Sequence, residues 1–213
     1  MSELANAELT EAEWRAWATL PTTAISDALG RHQVFAARLR PRTGAGLIGR
    51  AYCVRVVAGD SASLHLALDE TPVGSVLVVD AGGFCDRAVW GEVLTAAAQR
   101  RGVIGAVIDG AIRDVDGIRR RTFPIYSAAV TPAGPHKAGG GSWGGTVSCG
   151  GVPVATGDLI VADEDGIVAV PWTGRERVRV EAGAIVVRED QLMKQVDEEG
   201  ISTTSYLGLI GDK

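Results

Sequence analysis

The chain has 213 residues, of which 46% are hydrophobic and 22% charged, and its formal net charge at pH 7 is −5. This length favours one globular core over several large domains, so we predict a single domain over 1–213 with its core at about 22–171. The acidic balance offers no basic stripe to meet phosphates, which argues against nucleic acid as a main partner. No apolar stretch approaches the length of a membrane span, so we expect no membrane segment.

The N-terminal residues and the cysteines bear on the compartment. The first residues are acidic, with Glu3 and Glu8, and they lack the basic and apolar regions of a signal peptide. The cysteines Cys53, Cys85 and Cys149 are odd in number and form no CxxC pair. Buried free thiols in a reducing compartment are therefore expected, and we predict a cytoplasmic protein.

The first third of the chain predicts short helices and one strand. Thr10 begins a helix that ends near Ala18, and Glu13 lies three residues after Thr10, as in a capping box. The elements predicted next are a helix after Pro21 that reaches Leu29, a strand over 51–57 and a helix over 61–68.

The middle of the chain predicts a βαβ unit. The apolar run Val76–Asp80 predicts a buried strand, Gly91–Arg101 a helix, and Val103–Ile108 a second buried strand. Two strands joined by a helical crossover are parallel. A short helix from Asp114 and a strand near 124–128 continue the pattern.

The last third predicts loops, a hairpin and a charged helix. Residues 131–151 contain eight glycines, which favours turns between short strands. Residues 159–170 predict a β-hairpin around Asp165-Gly166. A helical pattern covers 174–199 without an evident core, so we expect the extension 174–213 to take part in contacts between subunits.

Two loops should place chemistry at one edge of the sheet. The segments 80–91 and 109–114 each follow a parallel strand, and ligands of such sheets bind beyond the carboxyl ends of the strands. This placement brings Glu92, Arg113 and Asp114 together. The helix start formed by Gly91, Glu92, Val93 and Leu94 offers free N–H groups and a dipole that favours an anion.

These side chains suit a 2-oxo acid. The planar fork of Arg113 fits a carboxylate or an enolate oxygen. Asp114 and Glu92 supply hard oxygen ligands for Mg²⁺ or Mn²⁺. An anion pocket beside a hard cation is what a 2-oxo acid needs to become an enolate.

Each residue also has a structural alternative. A helix cap would explain Asp114, and the helix dipole would favour Glu92 in any first turn. His65, on an apolar helix face, is expected to be a hydrogen-bonded core residue, and Lys137 a surface lysine rather than a Schiff base. Turn chemistry explains the acidic run Asp163–Asp165.

An ordered set of short motifs resembles the RraA-like family over about 22–171. That family includes 4-hydroxy-4-methyl-2-oxoglutarate aldolases, which also decarboxylate oxaloacetate, and the regulator of ribonuclease E activity. The motifs are Ile25-Ser-Asp-Ala-Leu29, Gly91-Glu92, Asp109-Gly-Ala-Ile-Arg-Asp114, Cys149-Gly-Gly151, Gly157-Asp158-Leu159 and Ala162-Asp-Glu-Asp-Gly166.

The resemblance implies an α/β fold, an α/β/α sandwich of the swivelling type, assembled as a homotrimer or hexamer with active sites between subunits. It implies that the amides of 91–94 bind pyruvate, that Arg113 binds substrate, and that Asp114 ligates the metal directly. Glu92 would reach the metal through water, although the family's aldolases have aspartate there. A further acid would come from a neighbouring subunit, with Glu189 and Asp190 as candidates.

We therefore predict a divalent-metal-dependent aldolase or decarboxylase that acts on 2-oxo acids through a pyruvate enolate. One alternative is a non-catalytic regulator that binds a partner enzyme, and the regulator branch typically lacks the aspartate after the arginine. Another is a related metal-enolate lyase acting on a different, specialised acid. The aromatic residues Phe84, Trp90 and Trp143 are candidates for pocket walls, with core or interface packing as their alternative.

Overall fold

The computed structural model describes residues 9–206. The helices are α1 (Glu11–Ala18), α2 (Thr22–Ala28), α3 (Ala62–Leu68), α4 (Glu92–Arg100), α5 (Val115–Arg120), α6 (Arg175–Glu199) and α7 (Thr203–Tyr206). The strands are β1 (Arg40–Pro41), β2 (Leu47–Arg55), β3 (Ser75–Asp80), β4 (Ala88–Trp90), β5 (Gly105–Ile112), β6 (Ile125–Val130), β7 (Ser142–Trp143), β8 (Thr146–Cys149), β9 (Val152–Ala155), β10 (Leu159–Ala162) and β11 (Ile167–Val170).

Nine strands form one mixed sheet with the order β1-β6-β5-β3-β2-β10-β11. Strands β6, β5, β3 and β2 run parallel, and the sheet becomes antiparallel at β1 and at β10–β11. Strand β4 pairs with the end of β5, β7 pairs with β2, and β8–β9 form a separate hairpin. The predicted α/β class, with its parallel βαβ core and C-terminal helix, is confirmed.

Alternate residues of the parallel strands divide the core between two sides of the sheet. Tyr52 and Val54 join a cluster that includes Leu64 of α3, Leu94 of α4 and Ile118 of α5. Their neighbours along β2 join a second cluster, beneath the β8–β9 hairpin. The period-two alternation of β2 therefore fixes which side of the sheet carries the crossover helices.

Helix α6 has a partner within the chain, which corrects the prediction that the C-terminal third lacks one. Val178 and Ala182 in its first half are buried in a third cluster, with Trp17 of α1 and Ile25 of α2. In the second half Met193 remains 56% exposed. Residues 207–213 of the predicted extension lie outside the described residues.

Strand β5 runs four residues past its predicted end at Ile108. Two features allow the polar Asp109 inside a strand: Arg38 Nη2 donates to both of its carboxylate oxygens at 2.7 and 2.9 Å, and the Gly150 N–H donates at 2.9 Å. A buried carboxylate with such partners does not terminate a strand. The loop expected at 109–114 is consequently only Arg113 and Asp114.

The cysteines are free, as predicted, with Cys53 and Cys149 buried and Cys85 partly buried. Burial raises the pKa of Cys53 to about 12, so this thiol stays protonated at neutral pH. Within residues 9–206, no helix is both long and apolar enough to cross a membrane.

Candidate active site

The two loops predicted to share one edge of the sheet lie side by side. Strand β4 ends at Trp90 and β5 at Ile112, and the Arg113 N–H donates to the Trp90 carbonyl at 2.9 Å. Helix α4 begins directly after Gly91, and α5 directly after Asp114. The structure therefore brings Glu92, Arg113 and Asp114 to one rim.

Glycine stands at position 91 because the side chains of Asp114 and Arg113 lie close to its backbone. A Cβ at this position would lie 2.6 Å from Asp114 Oδ2 and 3.2 Å from Arg113 Cγ. The φ angle of Gly91 is −159°, an extended value that any residue adopts. Space rather than backbone conformation therefore selects glycine here.

Asp114 precedes α5 without capping it. Its backbone is left-handed, with φ 60° and ψ 34°, and its side chain makes no cap hydrogen bond. The carboxylate instead turns to α4, where it accepts the Glu92 N–H at 3.2 Å and lies 3.6 Å from Arg113 Nε. The helix-cap alternative for Asp114 is therefore wrong, and its left-handed backbone, which aspartate adopts more readily than most residues, turns the carboxylate away from its own helix.

Arg113 presents its guanidinium to the pocket. Its side chain is 42% exposed, and apart from the charge of Asp114 it has no polar partner among the described residues. Gly134 lies so close that a Cβ there would be 2.8 Å from Arg113 Nη1. The N–H groups of Val93 and Leu94 likewise have no acceptor in the described part of the chain, so the helix start can receive an anion.

Glu92 is turned toward α5. Its carboxylate accepts a hydrogen bond from Arg121 Nε at 3.1 Å and packs so closely on Gly117 that a Cβ there would displace it. A glutamate at this position reaches an arginine 29 residues away. Its action on a metal through water remains a prediction.

A pocket of about 220 Å³ opens between this rim and a second wall. The rim side comprises Val89–Gly91, Val93, Leu94, Arg113 and Asp114, and the second wall comprises Ser61, His65, Gly134, Pro135 and Lys137. Larger grooves of about 630 Å³ lie elsewhere, one of them between α2 and α6 and lined by Asp27 and Glu189. The smaller pocket is the candidate site because the free N–H groups and guanidinium face it.

His65 is exposed and lines the pocket, so the prediction of a core histidine is wrong. Its helix turns Leu64, Ala67 and Leu68 into the core instead. Partial burial, and after it the charge of Lys137, lower the pKa of His65, which is therefore neutral at pH 7. Lys137 is exposed, as predicted, but it also faces the pocket.

Asp60 ties the second wall together, a role that no local signal in the sequence indicated. This buried carboxylate accepts N–H groups from Ala62, Ala138 and Gly139, and the Ser61 N–H donates to the His136 carbonyl at 3.0 Å. Burial would raise the pKa of Asp60, but the three N–H donors together lower it below its ordinary value. The glycine-rich loop is thus fastened to the start of α3.

The three aromatic candidates differ in their places. Trp90 is 1% exposed, donates its Nε1–H to Thr95 Oγ1 at 2.8 Å and stacks on Phe123, so it is mainly a core residue that meets the pocket at its edge. Phe84 and Trp143 do not line the pocket.

The Asp163 side chain, at the hairpin tip, is occupied by hydrogen bonds within the chain. It accepts the Thr22 N–H and hydroxyl at 2.8 and 2.7 Å, and the N–H groups of Asp165 and Gly166. This confirms turn chemistry as the explanation and adds a link to the start of α2.

Among residues 9–206, no group of three or more histidine, cysteine, aspartate or glutamate side chains could hold a metal. Asp114 is the one carboxylate lining the pocket. Mg²⁺ commonly keeps several waters and binds one or two protein carboxylates together with substrate oxygens. A half-exposed, singly hydrogen-bonded Asp114 fits that manner of binding.

A guanidinium, a carboxylate and a helix start surround one small pocket on a mixed α/β fold, an arrangement suited to a small anion. The family model described as RraA-like, Aldolase/RraA, matches residues 22–169, and the chain belongs to this RraA-like family.

Three relatives illustrate the range of the family. A Halalkalibacterium halodurans protein named "Putative 4-hydroxy-4-methyl-2-oxoglutarate aldolase" is 35% identical over 190 residues, which cover 89% of this chain and 90% of that protein. A Thermus thermophilus 4-hydroxy-4-methyl-2-oxoglutarate aldolase is 35% identical over 58% of this chain and 74% of its own length. The solved structure of the RNA-processing inhibitor RraA from Thermus is similar with a TM-score of 0.65 and 32% identity, covering 71% of this chain and 92% of that one.

Proposed function

We propose that the chain is a divalent-metal-dependent carbon–carbon lyase that acts on 2-oxo acids through a pyruvate enolate. Its reactions would be cleavage of 4-hydroxy-4-methyl-2-oxoglutarate, or a similar 4-hydroxy-2-oxo acid, and decarboxylation of oxaloacetate. The observation that carries this proposal is the pocket-facing guanidinium of Arg113, which lies beside the Asp114 carboxylate at the start of α4 and has no other polar partner among the described residues.

The substrate carboxylate would bind at the helix start. The N–H groups of Val93 and Leu94 lack acceptors among the described residues and point along a dipole that favours negative charge. Arg113 would donate to the carboxylate and to the oxygen on C2. An interaction that strengthens as that oxygen gains charge lowers the barrier rather than only the KM.

Asp114 would hold a divalent cation, Mg²⁺ or Mn²⁺, and Glu92 would act on it through water. When bound, such a cation supplies Lewis-acid stabilisation of charge on the substrate oxygen. The Arg121 contact, at 3.1 Å, holds the Glu92 carboxylate toward α5 and outside the pocket lining, so Glu92 would act through water rather than by direct contact.

Both reactions break the bond between C3 and C4. In the cleavage, the C4 hydroxyl would lose its proton to a water near Glu92, C4 would become a carbonyl, and the electron pair of the broken bond would form the C2–C3 double bond of the enolate. In the decarboxylation, the carboxylate on C3 leaves as CO₂ and supplies the same electron pair. Protonation of C3 then gives pyruvate in each case.

The direct test is turnover of 4-hydroxy-4-methyl-2-oxoglutarate and oxaloacetate, measured as pyruvate, with and without metal. Exhaustive EDTA treatment should abolish turnover, and Mg²⁺ or Mn²⁺ should restore it. Full activity in EDTA, with borohydride trapping at Lys137, would contradict the proposal and indicate a Schiff-base enzyme.

The alternatives give other outcomes in the same assay. A regulator would turn over neither acid and would inhibit RNA processing, as the name of the similar Thermus structure says of that protein. A lyase for a specialised acid would respond to metal but prefer another member of a panel of 2-oxo acids.

We also propose that the chain assembles as a homotrimer or a dimer of trimers. The second half of α6 carries the exposed Val187 and Met193, and neither Glu189 nor Asp190 lines the pocket of its own chain. One of these acids would complete the site of a neighbouring copy. Analytical ultracentrifugation that found a stable, active monomer at micromolar concentration would refute this.

A further inference from the structure

The Glu92 side chain rests against α5, where an arginine is held in place to meet it. Glu92 begins α4, and its carboxylate accepts a hydrogen bond from Arg121 Nε at 3.1 Å. The Arg121 carbonyl oxygen in turn accepts hydrogen bonds from Gln99 Nε2 at 2.8 Å and from Thr122 Oγ1 at 2.7 Å. Because Gln99 belongs to α4, the same helix carries Glu92 and fixes the backbone of its partner.

Gly117 gives the Glu92 side chain the room that it occupies. This glycine is buried inside α5, a position where alanine would favour the helix more. Its φ angle is not positive, so the backbone conformation does not require glycine. A Cβ at position 117 would collide with Glu92, and the three atoms nearest to it all belong to that side chain. We call Arg121 and Gly117 together the Glu92 seat.

The seat directs Glu92 away from the pocket although its backbone lies at the rim. The Glu92 N–H donates to Asp114 Oδ2 at 3.2 Å, so Glu92 begins directly beside the carboxylate proposed to hold the metal. Val93, Leu94 and Asp114 line the pocket, whereas Glu92 does not. A glutamate side chain is long enough to reach a cation at Asp114, so its direction, rather than its length, keeps the two carboxylates apart.

Direct ligation by Glu92 would change what the metal site can do. Mg²⁺ commonly binds one or two protein carboxylates and leaves its other positions to waters and substrate oxygens. A second carboxylate would add negative charge, which tightens metal binding, and would take a position from a water or from the substrate. A site that must admit a 2-oxo acid therefore gains from holding Glu92 back.

We infer that the Glu92 seat, Arg121 with Gly117, keeps Glu92 from ligating the metal directly. Arg121 attracts the carboxylate and Gly117 leaves space for it, so both are positioning residues that act through Glu92. The inference rests on the proposed function for the metal at Asp114, and it goes beyond that proposal by naming the residues that reserve metal positions for substrate and water.

Mn²⁺ binding in the absence of substrate tests the seat without turnover. Arg121→Met should raise Mn²⁺ affinity on the order of tenfold, measured by electron paramagnetic resonance, because a charged ligand is released to the metal. Water proton relaxation should show about one water fewer on the bound ion. Arg120→Met, at the exposed neighbouring position, removes the same charge away from Glu92 and should change neither quantity.

Gly117→Ala should release Glu92 by a different route, since it fills the space and leaves Arg121 in place. It should reproduce the gain in Mn²⁺ affinity and the loss of a water, while the melting temperature stays the same or rises. Gly183→Ala is the matched control, because it also lies inside a helix and a Cβ there meets nothing within 4 Å. In both seat variants KM for oxaloacetate should rise several-fold, since Glu92 would compete with substrate oxygens.

The Glu92→Gln background separates release of Glu92 from a simple change of charge. There Arg121→Met should no longer raise Mn²⁺ affinity, and an equal gain in that background would overturn the inference. Unchanged Mn²⁺ affinity and hydration in both Arg121→Met and Gly117→Ala would overturn it as well. Mn²⁺ binding without turnover of any acid would refute the lyase alone and leave the seat open to the same measurements, whereas no Mn²⁺ binding by the unmodified protein would refute both.

Discussion

Two aspartates of this chain, Asp163 at the hairpin tip and Asp114 at the rim of the sheet, have opposite surroundings. Asp163 sits in a run of three acids and accepts four hydrogen bonds from its own chain, two of them from Thr22. Asp114 accepts one N–H, at 3.2 Å. The two carboxylates therefore differ in unspent acceptor capacity, and the proposed function assigns metal binding to the one that has capacity left.

The backbone repeats this contrast. At the hairpin, Gly166 takes the φ angle of +158°, and the acids around it remain in ordinary conformations. At the rim, Asp114 itself takes a φ of +60°, which directs its carboxylate to α4 rather than to its own helix. This backbone conformation is what leaves the Asp114 carboxylate available for the metal-binding role proposed above.

The largest expected effect on catalysis comes from substituting the charged residues at the rim of the sheet. Arg113→Lys keeps the charge but loses the planar fork, so kcat/KM should fall on the order of 10²-fold or more, as when an oxyanion donor is removed. Asp114→Asn should weaken metal affinity, so raised Mg²⁺ should partly rescue it, whereas Arg113→Lys should not respond. Glu92→Gln should lower kcat/KM by an intermediate amount, because metal binding would be retained while proton transfer slows. Steady-state kinetics across a Mg²⁺ titration measure all three.

Thermal melts of these variants control for unfolding, and Asp163→Asn is the matched change at the hairpin. Near-native turnover of both Arg113→Lys and Asp114→Asn at low Mg²⁺ would mean that the reaction occurs elsewhere.

A smaller effect is expected from crowding the rim without changing its charges. In Gly91→Ala the new methyl group would lie 2.6 Å from Asp114 Oδ2, so the carboxylate must move. Turnover should fall on the order of tenfold or more, because small misplacements at a reacting centre are costly. The melting temperature should change little, since the φ of −159° suits alanine. Unchanged kcat and KM would show that the position of the carboxylate is not critical.

The smallest effect on catalysis is expected at the hairpin. Asp163→Ala leaves the Thr22 N–H and hydroxyl without their acceptor and should lower the free energy of unfolding by about 2 kcal/mol, a typical cost for hydrogen bonds to a charged group. Chemical denaturation measures that loss, and kcat should stay within about twofold. A large fall in kcat with unchanged stability would reverse the contrast between the two aspartates.

Local patterns predicted the elements that depend on neighbours in sequence. The capping box of α1 and the parallel strands β3 and β5 follow from spacing and apolar runs, and both are present. The sequence also predicted that the loops after β4 and β5 meet, because parallel strands have their carboxyl ends at the same edge of the sheet.

Features fixed by distant partners could not be read in the same way. Strand β5 continues through Asp109 because Arg38, 71 residues away in sequence, pairs with the Asp109 carboxylate. His65 has the helical spacing of a core residue, but the Asp60 bonds to the 138–139 amides shape the pocket beside it.

The attachment of the 134–141 loop has a consequence for local dynamics. Four of its eight residues are glycines, a composition that would ordinarily favour fast local opening. Four of its N–H groups are nevertheless held: that of His136 by the Gly59 carbonyl, those of Ala138 and Gly139 by the Asp60 carboxylate, and that of Gly141 by Ser63 Oγ. In hydrogen–deuterium exchange this surface loop should therefore exchange in step with the start of α3, and the wall it forms should remain in shape between one substrate and the next.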